Sequence, residues 1–261
     1  MKKHHLIILI ILTTVIAFFL VGCQKDQNED NNDPETPPVF PNCGTVTDID
    51  GNTYKTVTIG NQCWMRENLK TTQYKNGDLI GTTATPSTSI SDEEIPKYEW
   101  ILEGNTDYLD TYGRIYTWYV TVDPRGLCPA GWHIPTDSDW QQLEIALGMS
   151  PDDVANEGAR GFGTGSKLAG QKSLWNNPNS SILIHEDFGT SGFDGLPGGA
   201  RNPGGYPVSP GYSTYWWSST PGLSTQYDSS AYARYITSER NSITRVRPIT
   251  HFGLYVRCVK D

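Results

Sequence analysis

The segment Cys128-Pro-Ala-Gly-Trp-His-Ile-Pro-Thr-Asp-Ser-Asp-Trp140 constrains the fold of this chain more than any other stretch. Trp132 and Ile134 flank His133 as strand-like apolar positions, and Pro135 keeps the backbone extended just before Thr136. Thr136 and Asp139 then form a capping-box pattern, in which each side chain satisfies an orphan N–H of a first helical turn. Trp140, Leu143 and Leu147 recur at helical spacing, and Gly148 can close the helix in a left-handed cap. Strand, stop and helix are therefore expected in immediate succession. His133, set between two apolar residues, is expected to be a hydrogen-bonded structural histidine.

The start of the chain reads as an address. Lys2 and Lys3 precede Leu6 to Leu20, an apolar run interrupted only by Thr13 and Thr14, which is signal-peptide length. A membrane span needs about twenty apolar residues, and this run stops short. Leu20-Val21-Gly22-Cys23 resembles a bacterial lipobox, which implies cleavage before Cys23 and lipidation of that cysteine. Several acyl chains anchor stably where one is marginal. Residues 24 to 42 carry five acids and one lysine among Asn, Pro and Gln, and such a stretch cannot bury a core. It is expected to be a solvated tether, and its acids and lysine directly after Cys23 resemble the export signal of Bacteroidetes lipoproteins. The expected organisation is a signal peptide over 1–22, a lipidated cysteine and acidic tether over 23–42, and one globular domain over 43–261. The expected location is the outer membrane, facing the cell exterior, with the bilayer as a partner through the lipid.

The formal charge of -9 makes nucleic acid an unexpected partner, and loss of residues 1 to 22 removes Lys2 and Lys3 and no acid. Hydrophobic residues make up only 36%, so the 8 Trp and 14 Tyr must supply much of the core area. With 26 Gly and 17 Pro, long ordered loops are expected as well.

Within the domain, Thr45 to Ile59 alternates around Asp50-Gly51, a hairpin signal, and Gly60-Asn61 marks a second turn. Asp48, Asp50 and Asn52 can also be read as calcium ligands, but the chain runs on into a strand with no closing glutamate, which favours the turn. Ser91 to Glu94 and Ser150 to Asp153 are candidate helix starts, the latter with proline at the first helical position. Gly161 to Trp175 is glycine-spaced and irregular. Residues 191 to 202 are glycine-rich without the Gly-Lys-Ser/Thr of a phosphate loop, so a loop packed against the core is expected. Tyr215 to Thr220, Tyr232 to Thr237, Ser242 to Val246 and Phe252 to Val259 read as successive antiparallel strands. In the last, Cys258 is expected to point into the core.

Four cysteines besides Cys23 in an exported chain favour disulfides. Cys43 and Cys63 flank one hairpin unit, while Cys128 and Cys258 belong to the segments expected to meet in the core, so the pairs are Cys43 with Cys63 and Cys128 with Cys258. Cys63 has no second cysteine within three residues, hence no redox motif. His185-Glu186-Asp187 lies on a polar loop with no second histidine nearby and reads as solvated surface. No metal, no cofactor and no catalytic residue is expected.

Six segments in order resemble the Fibrobacter succinogenes major paralogous domain: Asp48 to Tyr54, Cys63 to Leu69, Tyr112 to Tyr116, Cys128 to Trp140, Gly192 to Arg201 with Trp216 to Thr220, and Gly253 to Asp261. The one departure is a long polar insert around residues 80 to 105. The resemblance implies a secreted or lipid-anchored bacterial surface protein with no established enzymatic activity. Gly131-Trp-His-Ile-Pro-Thr136 with Trp140 is also similar to the core of formylglycine-generating and C-type-lectin-like folds. That similarity implies an α+β domain, with a twisted antiparallel sheet, two helices and long ordered loops. The calcium-dependent sugar motifs of lectins are absent from the sequence. Function is then expected to be non-catalytic binding of a glycan or protein, the alternative being a hydrolase or oxidoreductase of unrecognised type. Because neighbours on a strand point to opposite faces, Trp216 and Trp217 cannot share one core. The candidate ligand platform is one of these rings with Tyr215, Tyr206 and Arg201, giving a ring face for a sugar and a guanidinium for its oxygens; the competing and preferred reading is that the preceding loop buries both tryptophans and they only hold the fold.

Overall fold

The computed structural model describes residues 39–224 and 229–261; the expected leader, Cys23 and nearly all of the tether lie outside the described residues. Strands β1 (Thr45–Thr47), β2 (Thr53–Ile59) and β3 (Gln62–Met65) form the two expected hairpins, with Thr47 opposite Thr53 and Ile59 opposite Gln62. Short strands follow: β4 (Glu99–Trp100), β5 (Ile115–Tyr116), β6 (Trp132–His133), β7 (Gly158–Arg160), β8 (Ala200–Arg201) and β9 (Pro207–Val208). The long strands come last, β10 (Ser213–Ser224), β11 (Ser229–Thr237) and β12 (Arg240–Val246), before β13 (Leu254–Tyr255) and β14 (Val259–Lys260).

These strands build two main sheets rather than the single sheet expected. One has the order β1-β2-β3-β14-β6 and the other β4-β5-β13-β10-β11-β12-β7, while β8 and β9 make a separate ribbon. The C-terminal stretch explains the difference. Phe252 to Val259 was expected to be one strand, but Leu254–Tyr255 joins the larger sheet and Val259–Lys260 the smaller. Nor is the pairing all antiparallel, because β13 runs parallel to β10, with Trp216 beside Tyr255.

Helix α1 (Tyr108–Tyr112) and α2 (Trp118–Thr121) are single turns, whereas α3 (Asp137–Ala146) is the expected helix after the Pro135 stop. Both halves of its capping box are formed, with the Asp139 N–H donating to Thr136 Oγ1 at 3.1 Å and the Thr136 N–H donating to Asp139 Oδ2 at 2.8 Å. Gly148 follows at φ +98°, a conformation that side chains with a Cβ resist. The second expected helix is only one turn, α4 (Pro151–Val154), because Gly158–Arg160 is drawn into the sheet against β12. The irregular stretch after Gly161 contains a further short helix, α5 (Thr164–Leu168). Ser91 to Glu94 starts no helix; the segment is a turn whose Ile90 N–H donates to the Pro203 carbonyl. The architecture is α+β, dominated by sheet.

Two apolar clusters lie inside it. In the first, the rings of Trp64, Trp140, Phe193 and Trp216 meet at centroid distances of 4.9 to 5.9 Å. The second gathers Tyr54, Met65, Tyr116, Trp132 and Trp217 around Cys128 and Cys258. Aromatic area thus does the work that a low aliphatic content leaves undone.

Candidate functional site

The candidate platform does not assemble, and the two tryptophans are the buried structural rings of the preferred reading. Trp216 and Trp217 are both fully buried, because the two faces of β10 are each covered: Trp216 lies in the first cluster and Trp217 in the second. Their indole N–H groups are satisfied inside, Trp216 by Asn68 Oδ1 at 2.9 Å and Trp217 by the Tyr116 carbonyl at 2.8 Å. Tyr215 stacks across strands on Tyr235 at 4.9 Å. Tyr206 is 67% exposed, on the turn between β8 and β9, where its N–H donates to Asn202 Oδ1. Arg201 is buried, over the Trp100 ring at 4.0 Å. Burial pushes its guanidinium down to about 10, and nearby Glu93 opposes that shift.

Arg201 instead builds the wall of a different site. It donates to the carbonyls of Pro86, at 2.9 Å, and of Thr88, pinning the long polar insert to strand β8. From the other side His251 Nε2 donates to the Glu93 carbonyl at 2.5 Å. A neutral imidazole that donates from Nε2 leaves Nδ1 as acceptor, and Thr250 Oγ1 lies 3.5 Å from it. The Glu93 carboxylate accepts from the Tyr98 hydroxyl, which raises that phenol.

Held in this way, residues 91–95 face the turn 202–204 and residues 249, 251 and 252 across a cleft of about 970 Å³. Such a volume suits a ligand of several groups. Two other clefts, beside Tyr108 and Tyr112 and beside Ile49 and Cys128, are each about 270 Å³. Tyr119 lines the large cleft, with its ring edge-on to that of His251 at 6.4 Å. Ile95, 57% exposed, and Phe252 supply apolar surface, whereas Asp92, Glu93 and Glu94 supply carboxylates. Among the described residues, no lysine or arginine lines it. Sequence reading missed this cleft because its first wall, residues 91–95, lies more than a hundred residues before the second, 202–204, and the third, 249–252, follows some forty-five residues later; the polar insert was the only local sign.

The remaining sequence candidates are structural. Asp50 accepts from Thr71, Thr72 and Gln73 and so ties the first hairpin to the chain beyond β3, while Asp48 accepts from Asn52 and from the Tyr54 hydroxyl at 2.6 Å and closes the hairpin on itself. Burial alone would raise Asp50, but the hydrogen bonds from Thr72, Thr71 and Gln73 hold it below its ordinary value. His133 Nδ1 lies 2.7 Å from Asp261 and Nε2 3.3 Å from Asp139, tying α3 to the last residue. His185 packs edge-on to exposed Phe162 at 5.3 Å. The loop 191–202 is packed tightly, as expected: a Cβ on Gly198 would meet the Tyr255 hydroxyl at 2.2 Å. Cys43 pairs with Cys63 and Cys128 with Cys258.

Sequence reading also missed a buried charge network. Arg234 donates to Glu144 Oε1 at 2.6 Å and to Asp137 Oδ1 at 2.8 Å. Arg160 donates to Glu144 Oε2 at 2.6 Å, and Arg245 grips Asp137 through two nitrogens at 3.0 and 2.8 Å. Burial would raise Asp137, but Arg245 and Arg234 outweigh it and hold the carboxyl low. Arg257, fully buried over Phe193, donates to Asn68 Oδ1 and to the carbonyls of Phe193 and Asp194. Burial lowers its guanidinium from the ordinary value.

No curated protein and no solved structure matches this chain. A family model does match, over residues 57–260, which includes both long hairpins of the larger sheet, the capped helix and all three walls of the cleft. With that match spanning most of its length, the chain belongs to the family described as the Fibrobacter succinogenes major domain.

Proposed function

We propose that this is a lipid-anchored protein of the bacterial outer membrane, exposed at the cell surface, whose C-type-lectin-like domain is a non-catalytic binding module. The domain begins near Cys43, and residues 23–42 serve as its tether. The observation that carries the binding reading is the 970 Å³ cleft, whose wall is fixed by Arg201 and His251 and whose lining mixes apolar and acidic groups. The histidine at this cleft has its nitrogens on a backbone carbonyl and near a threonine hydroxyl, not on a carboxylate as a general base is usually oriented. Anchoring rests on Leu20-Val21-Gly22-Cys23 and on the acidic stretch that follows.

Two measurements test the proposal. Palmitate labelling should be lost in Cys23→Ser, and added protease should release the wild-type domain from intact cells; persistent labelling, or protection from protease, counts against the anchor or its orientation. For binding, the full-length protein in detergent is screened against glycan and peptide arrays. Hits should be lost on Tyr119→Ala in the cleft and kept on Tyr206→Ala outside it. Hits indifferent to Tyr119 place the ligand elsewhere and sink the cleft reading.

A further inference from the structure

Resting on that reading of the cleft, we propose that its occupant is a basic peptide segment of a partner protein, bound through lysine or arginine side chains. The charge of the lining is one-sided. Asp92, Glu93 and Glu94 stand on one wall, and Arg201, which braces the insert carrying that wall, lies beneath the surface with its donors spent on the carbonyls of Pro86, Thr88 and Asn202. Arg201 offsets part of the Glu93 charge, so the wall remains net negative, in a chain whose formal charge is -9. A cation approaching this wall is favoured both locally and by the field of the whole surface.

The apolar half of the lining sets the shape of the ligand. Ile95, Ile249 and Phe252 offer aliphatic and aromatic surface beside the carboxylates. A lysine or arginine side chain has the matching form, with a methylene stem that lies along apolar surface and a charged head that reaches the acids. Tyr119 adds a ring toward which a cation is attracted. A neutral sugar fits less well. Stacking is best served by an open tryptophan face, yet among the described residues no tryptophan lines the cleft. Three carboxylates would also be left to bind hydroxyls alone.

The recognition is specific to Asp92 and Glu94, because Glu93 is engaged by Tyr98 and its carbonyl by His251. Fluorescence anisotropy of a labelled peptide of alternating lysine and serine, titrated with the full-length protein in detergent, tests this. Acetylating every lysine should weaken binding by roughly tenfold or more, and so should Asp92→Asn with Glu94→Gln, because two partly solvated ion pairs together account for about that factor. Raising salt should weaken the wild-type complex as well. Both exposed acids can be neutralised without touching the core, and the thermal midpoint of the double variant should match the wild type. Equal binding of the acetylated peptide overturns the basic-peptide assignment while leaving the cleft a binding site. A glycan bound in the cleft, lost on Tyr119→Ala and with no lysine peptide bound, does the same. Failure of both ligand classes to bind removes the binding module itself.

Discussion

Trp216 and Trp217 are adjacent in sequence and both wholly buried, yet they lie in different apolar clusters on opposite faces of one strand. The strand therefore joins two cores. Truncating either ring leaves a large cavity and an unpaired acceptor behind it. Trp216→Ala and Trp217→Ala should each destabilise the domain by roughly 3–5 kcal/mol. Denaturant titration checks this, and losses under about 1 kcal/mol for either would mean that its face of β10 is not closed.

Glu144 has neither oxygen free, since Arg234 takes one and Arg160 the other, with all three side chains at most 4% exposed. Removing its charge leaves three guanidiniums to share Asp137. Glu144→Gln should cost roughly 3–5 kcal/mol. Glu157→Gln, which breaks only the half-exposed pair with Arg247, should cost under about 1 kcal/mol. Equal effects in equilibrium unfolding would show that the buried network is not a unit.

How far the sequence reveals this molecule follows from how local each cause is. The Asp50-Gly51 turn and the Thr136–Asp139 cap depend on residues a few positions apart, and both are where their residue types place them. Burial of Arg234 depends on Asp137 and Glu144, about ninety residues away, and no periodicity in its strand announces a charge that faces inward. Arg257 is similar: alternation puts it opposite Cys258, but only the docking of the 191–202 loop, with the carbonyls of Phe193 and Asp194, gives its guanidinium a dry place to sit. The cleft was hidden for the same reason. Arg201 looked like a ligand donor because its partners, Pro86 and Thr88, lie in an insert with no pattern of its own.

Asp137 also sets an acid limit. Its folded carboxyl titrates below its unfolded value of about 3.9, so its contribution is complete above that value and is lost as pH falls through the folded one. Asp123, held low chiefly by Arg125 and also by Lys97, acts in the same direction. Unfolding free energy should fall as pH drops below about 4. Asp137→Asn should be less stable near neutrality and show a shallower acid slope; an unchanged slope would assign the acid loss to other carboxylates.

The two disulfides should not be equivalent. Cys43 and Cys63 are 20 residues apart, partly exposed, and close a loop around the first hairpin; Cys128 and Cys258 are 130 apart and both buried. In the chain-entropy account the first bridge stabilises by roughly 3 kcal/mol and the second by nearly 5 kcal/mol. Position reinforces length. Cys258 immediately precedes β14 and Cys128 lies four residues before β6, and these strands pair with Val259 opposite His133, so the longer bridge holds one ladder of the smaller sheet in register. Under mild reductant with differential alkylation, Cys43 and Cys63 should be labelled first. Cys128→Ala with Cys258→Ala should lower the melting temperature more than Cys43→Ala with Cys63→Ala. The reverse order would mean that the β6–β14 ladder stands without its crosslink, and that the N-terminal hairpin depends on its own.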